Sequence, residues 1–123
     1  MGRKGFKDLL VWQLAKDLAV RVYQLSASQE LKKDFGLRDQ IRRNAVSVAS
    51  NLAEGDERGT DREAVRFFHI AKGSVAELRT QIQIACEVGC LNRAVYESLE
   101  AEYVRLVKMI GSLIQVRSRT SSR

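Results

Sequence analysis

The sequence predicts an all-α protein, an antiparallel up-down four-helix bundle. Three observations carry this expectation. Proline is absent from all 123 residues, so no ring breaks a helix from within. Four stretches repeat apolar residues three and four positions apart, the spacing of one helix face. The connections between them are short, which makes consecutive helices antiparallel neighbours. The length suits one domain with a real core. A 45% hydrophobic and 29% charged composition is globular rather than disordered.

The first helix is expected from Asp8 to Ser26, with Val11, Trp12, Ala15, Leu18, Ala19 and Val22 on its stripe. Leu10, Leu14 and Tyr23 fall off that stripe. Either the core-facing band is wide or the helix makes a second contact, with another subunit. Leu31 and Phe35 read as tethers of the following loop to the core. The second helix follows Gly36 and carries Leu37, Ile41, Ala45, Val48 and Leu52. Its other side holds Asn44, Ser47, Asn51 and Glu54, and Gly55 reads as the residue that ends it.

Residues 55–59 form the clearest loop. Thr60 followed by Glu63 is a capping box that opens the third helix. Ala64, Phe68, Ala71, Val75, Leu78, Ile82 and Ala85 give the strongest periodicity in the chain. Gly73 and Ser74 interrupt it, either for a close helix approach or as a tolerated imperfection. Gly89 ends the helix and Asn92 caps the next. The fourth helix, from Arg93 to Val116, packs through Val95, Leu99, Tyr103, Leu106, Ile110 and Leu113, with Val104, Val107 and Ile114 on a partial second stripe. The chain thus divides into a basic arm (1–7), the bundle (8–116) and a mobile basic tail (117–123).

Several chemistries find no support. No apolar run reaches the length of a membrane span, and the basic start does not read as a signal peptide or a myristoylation site. Cys86 and Cys90 form neither a CxxC motif nor a disulfide framework, and they read as buried small thiols in a reducing cytoplasm. His69, the single histidine, has Arg62, Arg66 and Gly73 as helical neighbours, which offers no metal set and no nucleophile–base pair. The acids around residues 56–63 read as capping and dipole partners. Residues 55–60 lack the lysine and the preceding strand of a phosphate-binding loop. No enzyme, metal or cofactor is expected.

The formal net charge is +6, and its placement is uneven. Residues 1–7 contribute +3 and residues 103–123 contribute +5, while residues 8–102 are net −2. Antiparallel first and last helices bring both basic ends to one end of the bundle. The candidate nucleic-acid contacts are Arg3, Lys4, Lys7, Arg42, Arg58, Arg62, Arg66, Arg105, Lys108, Arg117, Arg119 and Arg123. For the arginines between residues 38 and 66, ion pairing with neighbouring carboxylates competes with phosphate contact. Arg43, Ser47, Asn51, Glu54 and Gly55 form a separate structural motif, read as a buried polar network at the corner between the second and third helices.

The run from Phe35 to Arg43, followed by Ala45 to Gly55, resembles the GL-x-x-QIRR-A-x-SI-x-x-NIAEG signature of the four-helix bundle family, also called the 23S rRNA intervening-sequence protein family. Phe6, Leu9, Trp12, Ala15 and Tyr23 match in the first helix. Arg58, Phe68, Ile70, Ala71, Gly73, Ser74, Glu77, Leu78 and Gly89 match further on, so the resemblance spans about residues 6–114. Ala49 and Lys32 stand where the family often has proline. The resemblance implies an up-down bundle assembled into a homopentameric ring, in a family of bacterial proteins often encoded within insertions in large-subunit rRNA genes or as separate genes. A more distantly similar bundle serves as the accessory subunit of diversity-generating retroelement reverse transcriptases. The leading expectation is therefore a non-enzymatic, cytoplasmic, oligomeric scaffold or adaptor that binds ribosomal RNA or another nucleic acid through basic termini. The alternative is an accessory subunit whose faces bind another protein, such as a reverse transcriptase. On the first expectation, deleting residues 117–123 weakens RNA binding and leaves fold and oligomer intact.

Overall fold

The computed structural model describes residues 5–27 and 30–121, with the side chains at 120 and 121 left aside. Arg3, Lys4 and Arg123 lie outside the described residues. Four helices make up the architecture: α1 (Leu10–Ser26), α2 (Phe35–Asp56), α3 (Asp61–Glu87) and α4 (Arg93–Ser121). Single 3-10 turns at Phe6–Asp8 and Glu30–Lys33 precede α1 and α2. No strand occurs among the described residues.

Cross-helix pairs fix the directions. Asn44 meets Gln81, and Ser47 meets Ser74. Gly55 lies against Ala64 and Phe68. Numbers rise along α2 as they fall along α3, so the two helices are antiparallel. Arg79 pairs with Glu100, while His69 and Lys72 share a groove with Lys108 and Gln115. That makes α3 and α4 antiparallel as well. Arg21 reaches Ser98, and Leu10 lies beside Met109 and Val116. The chain therefore closes as an up-down bundle, with α1 against both α2 and α4.

The core is the set of stripes. Every stripe residue of α3 from Ala64 to Ala85 is buried, as are Ile41, Ala45, Val48 and Leu52 of α2. Leu99, Tyr103, Leu106 and Ile110 supply the α4 side. Burying each large apolar side chain contributes about 1.5–3 kcal/mol. Leu31, 1% exposed, tethers the α1–α2 connection as expected. Phe35 does not: it is 65% exposed and lies under the Arg38 guanidinium, 4.9 Å from ring centroid to Cζ.

The caps explain most helix ends. Asp34 accepts from the Leu37 N–H at 3.1 Å, so α2 starts one residue before Gly36. Thr60 accepts from the Glu63 N–H at 3.2 Å, and Asn92 from the Val95 N–H at 2.8 Å. Gly89 has φ +86, and the Cys90 N–H reaches back to the Ala85 carbonyl at 2.7 Å. This is a Schellman stop, which needs a residue at ease in the left-handed region.

Three expectations need correction. Gly55 does not terminate α2 by turning left-handed; it is buried within the helix. A Cβ there would lie 2.7 Å from Phe68 Cε1 and 3.0 Å from both the Ala64 carbonyl oxygen and Phe67 Cβ. Its lack of a side chain permits the helix approach rather than a turn. Gly73 serves no such approach, because a Cβ there meets nothing within 4 Å. Its neighbour Ser74 faces α2 instead. Finally, α4 continues past Val116 to Ser121, and Arg117 is anchored by Asp56 and Asp61. The Arg117 anchor ties down the end of the helix, which runs on although Ser118, Thr120 and Ser121 have only middling helix propensity. α2 also runs unbroken through Ala49, where proline would have removed a helical N–H.

The two glycines give opposite expectations for alanine. Gly55→Ala should cost about 1–3 kcal/mol through overpacking. Gly73→Ala should stabilise by about 0.4–1 kcal/mol, since it only narrows the unfolded ensemble. Urea unfolding of both variants checks this pair.

Tyr103 supplies a pH test. It is 1% exposed, and its hydroxyl is the only fully buried side-chain polar atom without a hydrogen-bond partner among the described residues. Burial pushes its phenol above the ordinary value, with Arg21 opposing weakly. The folded state therefore resists ionisation that the unfolded chain undergoes near pH 10. Its contribution to stability is present below about pH 10 and is lost as pH rises through the folded-state value. Tyr103→Phe should match or exceed the parent at neutral pH and lose less stability in alkali, as read by unfolding curves across that range.

Candidate nucleic-acid interface

Hydrogen bonds sort the basic candidates into committed and uncommitted groups. Arg42 Nε donates to Ser26 Oγ at 2.6 Å, and its guanidinium lies 4.7 Å from the Tyr23 ring centroid. Ser26 is fully buried, so Arg42 closes the end of α1. Arg58 pairs with Glu54 at 2.9 Å and lies over Phe67. Arg105 stands 3.6 Å from Glu102. Arg117 donates through Nε to Asp61 and stands 3.7 Å from Asp56, above the Phe68 ring. The Asp56 side chain is only 3% exposed. A carboxylate that far from water needs its cation, because an unpaired buried charge is costly.

Arg117 therefore belongs to the bundle and not to a mobile tail. It joins α4 to both sides of the α2–α3 corner. The described ends of the chain do meet at this corner, since Gly5 lies beside Glu57. Acids Asp56, Glu57 and Asp61 occupy the same end, so its charge is mixed. Lys7 is exposed in the first 3-10 turn, with its carbonyl accepting from Gln13.

Arg62, Arg66 and Lys108 are exposed and form no ion pair or side-chain hydrogen bond within the described structure. Arg119 touches only the Gln115 carbonyl of its own helix, at 3.4 Å. Of these, Lys108 faces His69 and Lys72 of α3, while Arg62 and Arg66 lie farther along α3 and Arg119 farther along α4. Between the helices runs a groove of about 500 Å³, lined by His69 and Lys72 from α3 and by Lys108, Ser112 and Gln115 from α4. No carboxylate lines it. Arg62, Arg66, His69 and Lys72 succeed one another at steps of four, three and three along the exposed face of α3. That row rises about 15 Å, long enough to follow a phosphate backbone. His69 and Lys72 were not among the expected contacts. Their spacing with Arg62 and Arg66 was visible in the sequence, but the facing Lys108 was not.

A second polar hollow between α3 and α4 does not offer free charge. Arg79 donates through Nε and Nη2 to the two Glu100 oxygens at 3.0 and 2.6 Å. That hydrogen-bonded pairing holds the Glu100 carboxyl below its usual range and raises the Arg79 guanidinium. The bidentate geometry saturates both partners.

The polar motif on α2 also divides. Ser47 Oγ lies 2.9 Å from Ser74 Oγ, and Asn51 Nδ2 donates to the Ser47 carbonyl and hydroxyl at 2.9 and 3.1 Å. Asn44, 8% exposed, donates to Gln81 at 2.9 Å. Glu54 is exposed and turned to Arg58, and Arg43 is exposed with no side-chain bond into this set. The interior network is therefore Asn44, Ser47, Asn51, Ser74 and Gln81, with neither Arg43 nor Glu54 in it. Among the described residues, no three His, Cys, Asp or Glu side chains converge on a metal position, and no helix is long and apolar enough to cross a membrane.

Stability should follow this sorting. Arg117→Ala removes the bond to Asp61 and the ion pair with the little-exposed Asp56 carboxylate and should cost about 2 kcal/mol. Arg62→Ala and Arg66→Ala remove exposed side chains and should stay within about 0.5 kcal/mol of the parent. The corresponding deletion of residues 117–123 should lower stability as well, contrary to the expectation from sequence. Thermal unfolding of all four proteins reads the difference.

Comparison with known proteins places this geometry. None of the curated proteins compared matches the chain. Among solved structures, a protein of unknown function from the S23 ribosomal protein family of Bacteroides thetaiotaomicron VPI-5482 superposes with a TM-score of 0.81. It is 22% identical and covers 89% of this chain and 98% of its own. At that identity the likeness speaks for the four-helix fold alone. The family model described as 23S rRNA-intervening sequence protein matches residues 7–112, which takes in all of α1, α2 and α3 and most of α4. With that match spanning nearly the whole bundle, the chain belongs to the 23S rRNA-intervening sequence protein family.

Proposed function

We propose that this protein is a non-enzymatic helical scaffold that self-associates beside α1 and holds RNA by its phosphates along the α3–α4 groove. The observation that carries the RNA reading is the row of uncommitted basic groups. Arg62, Arg66, Lys72, Lys108 and Arg119 face solvent with no carboxylate partner, whereas Arg42, Arg58, Arg105 and Arg117 are engaged within the fold. Aromatic side chains do not line the groove, so binding rests on phosphate charge rather than on base stacking. The family's name, which ties its members to an intervening sequence of 23S rRNA, favours RNA as the polyanion, and with it a cytoplasmic location.

Self-association rests on the surplus apolar surface of α1. One groove of about 570 Å³ runs between α1 and α2, lined by Phe6, Trp12, Val20, Tyr23, Val46 and Ala53 among others. Another of about 550 Å³ runs between α1 and α4 beside Leu10, Met109, Leu113 and Val116. Leu10 is 70% exposed and Val20 50%. Apolar grooves on both flanks of one helix suit heterologous contacts that close into a ring, the pentamer that the family resemblance implies. The same grooves favour a second reading, in which they receive another protein, such as a reverse transcriptase.

A salt series tests the RNA reading. Affinity for a ribosomal RNA fragment should fall linearly with log salt, by about 0.7 per single-strand phosphate neutralised. Replacing Arg62, Arg66, Lys108 or Arg119 with Gln should each reduce that slope, while the same change at Arg105 should not. Light scattering on the same preparations reads assembly. A monomer near 13.9 kDa at micromolar concentration contradicts the ring and leaves the α1 grooves to another protein.

A further inference from the structure

We propose that His69 is a proton-linked phosphate contact, so that a phosphodiester chain enters the α3–α4 groove with uptake of a proton. This inference rests on the RNA reading above and names a control on the same site. His69 is exposed, lines the groove, and makes no hydrogen bond or ion pair within the described structure. Its ring nitrogens are therefore available to a ligand.

The groups around His69 all favour an anion. On its own helix, Arg66 and Lys72 stand one turn away on either side. Across the groove α4 presents Lys108, with Ser112 and Gln115 as neutral donors. The acid nearest Lys108 along α4, Glu102, is turned to Arg105. α2, the other helix packed on this part of α3, meets it through Gly55 at Ala64, Phe67 and Phe68, and through Ser47 at Ser74. Its acids at that end, Glu54 and Asp56, are paired with Arg58 and Arg117. No carboxylate lining the groove competes with a phosphate for the imidazolium.

A phosphate between Lys72 and Lys108 favours imidazolium over imidazole, because the protonated ring donates from both nitrogens and adds a positive charge. A phosphodiester does not titrate near neutrality, so the proton is gained by the protein. Histidine is the side chain whose ordinary titration lies between about pH 5 and 8, and this chain has only one. Linkage then requires tighter binding at lower pH, through the histidine range. A rise of one pK unit on binding corresponds to about a tenfold gain in affinity.

The test uses a short oligouridylate, whose base takes up no proton in this range, at constant ionic strength. The full-length protein should bind about tenfold more tightly at about pH 5.5 than at about pH 8. His69→Gln, which alters an exposed position, should melt like the parent and lose the gain on acidification. The single imidazole signal in proton NMR should titrate at higher pH when oligouridylate is present. Binding by the parent that is independent of pH, or a His69→Gln variant that keeps the full gain, overturns the inference and leaves the RNA reading standing. Absence of binding by the parent at low salt and at either pH overturns both.

Discussion

The close approach of α2 and α3 is the constraint on which the rest of the bundle depends. At Gly55 the two helices come so near that a single methyl group would collide with Phe68 and with the Ala64 carbonyl. Farther along, the small side chains Ser47 and Ser74 touch through their hydroxyls, and Asn44 reaches Gln81. Where small polar side chains line this strip they pair across it, as Ser47 with Ser74 and Asn44 with Gln81, or back onto their own helix, as Asn51 onto Ser47. The result is a paired platform. α1 and α4 complete the core by covering its apolar side.

That platform also decides which charges are free. Bringing the end of α2 beside the start of α3 places Asp56 and Asp61 together, and the buried Asp56 draws Arg117 from α4. Arg58 folds back over Phe67 to Glu54 at the same corner. Arg42, at the other end of α2, is taken by Ser26 and Tyr23. Once these are spent, Arg62, Arg66, Lys72, Lys108 and Arg119 remain for a partner on α3 and α4, with Lys7 and Arg43 exposed elsewhere on the bundle. Net charge alone thus overstates Arg117 and understates the third helix.

Much of the fold was legible because helical periodicity and capping are local. The α3 stripe, the Thr60 and Asn92 caps and the Gly89 stop are each set by residues within a few positions of one another, and all occur where the sequence places them. Phe35, Gly55, Gly73 and the end of α4 were less legible, because each depends on a distant neighbour or on the lack of one. The sequence marks Gly55 and Gly73 alike as helix-weakening; only the presence of Phe68 beside one and empty space beside the other separates them. Arg117 reads as tail until Asp56, far away in the chain, is seen next to it.

The candidate interface divides in the same way. The sequence by itself determined an all-α bundle, its four stripes, its family and the row of Arg62, Arg66, His69 and Lys72 along one helical face, since these follow from spacing and residue type. Tertiary structure alone decided that Lys108 faces that row, that no carboxylate lines the groove between them, and that the arginines at 42, 58 and 117 are occupied. The physical reason is that a charge is defined by what lies within a few ångströms, and in an up-down bundle those neighbours come from helices tens of residues away.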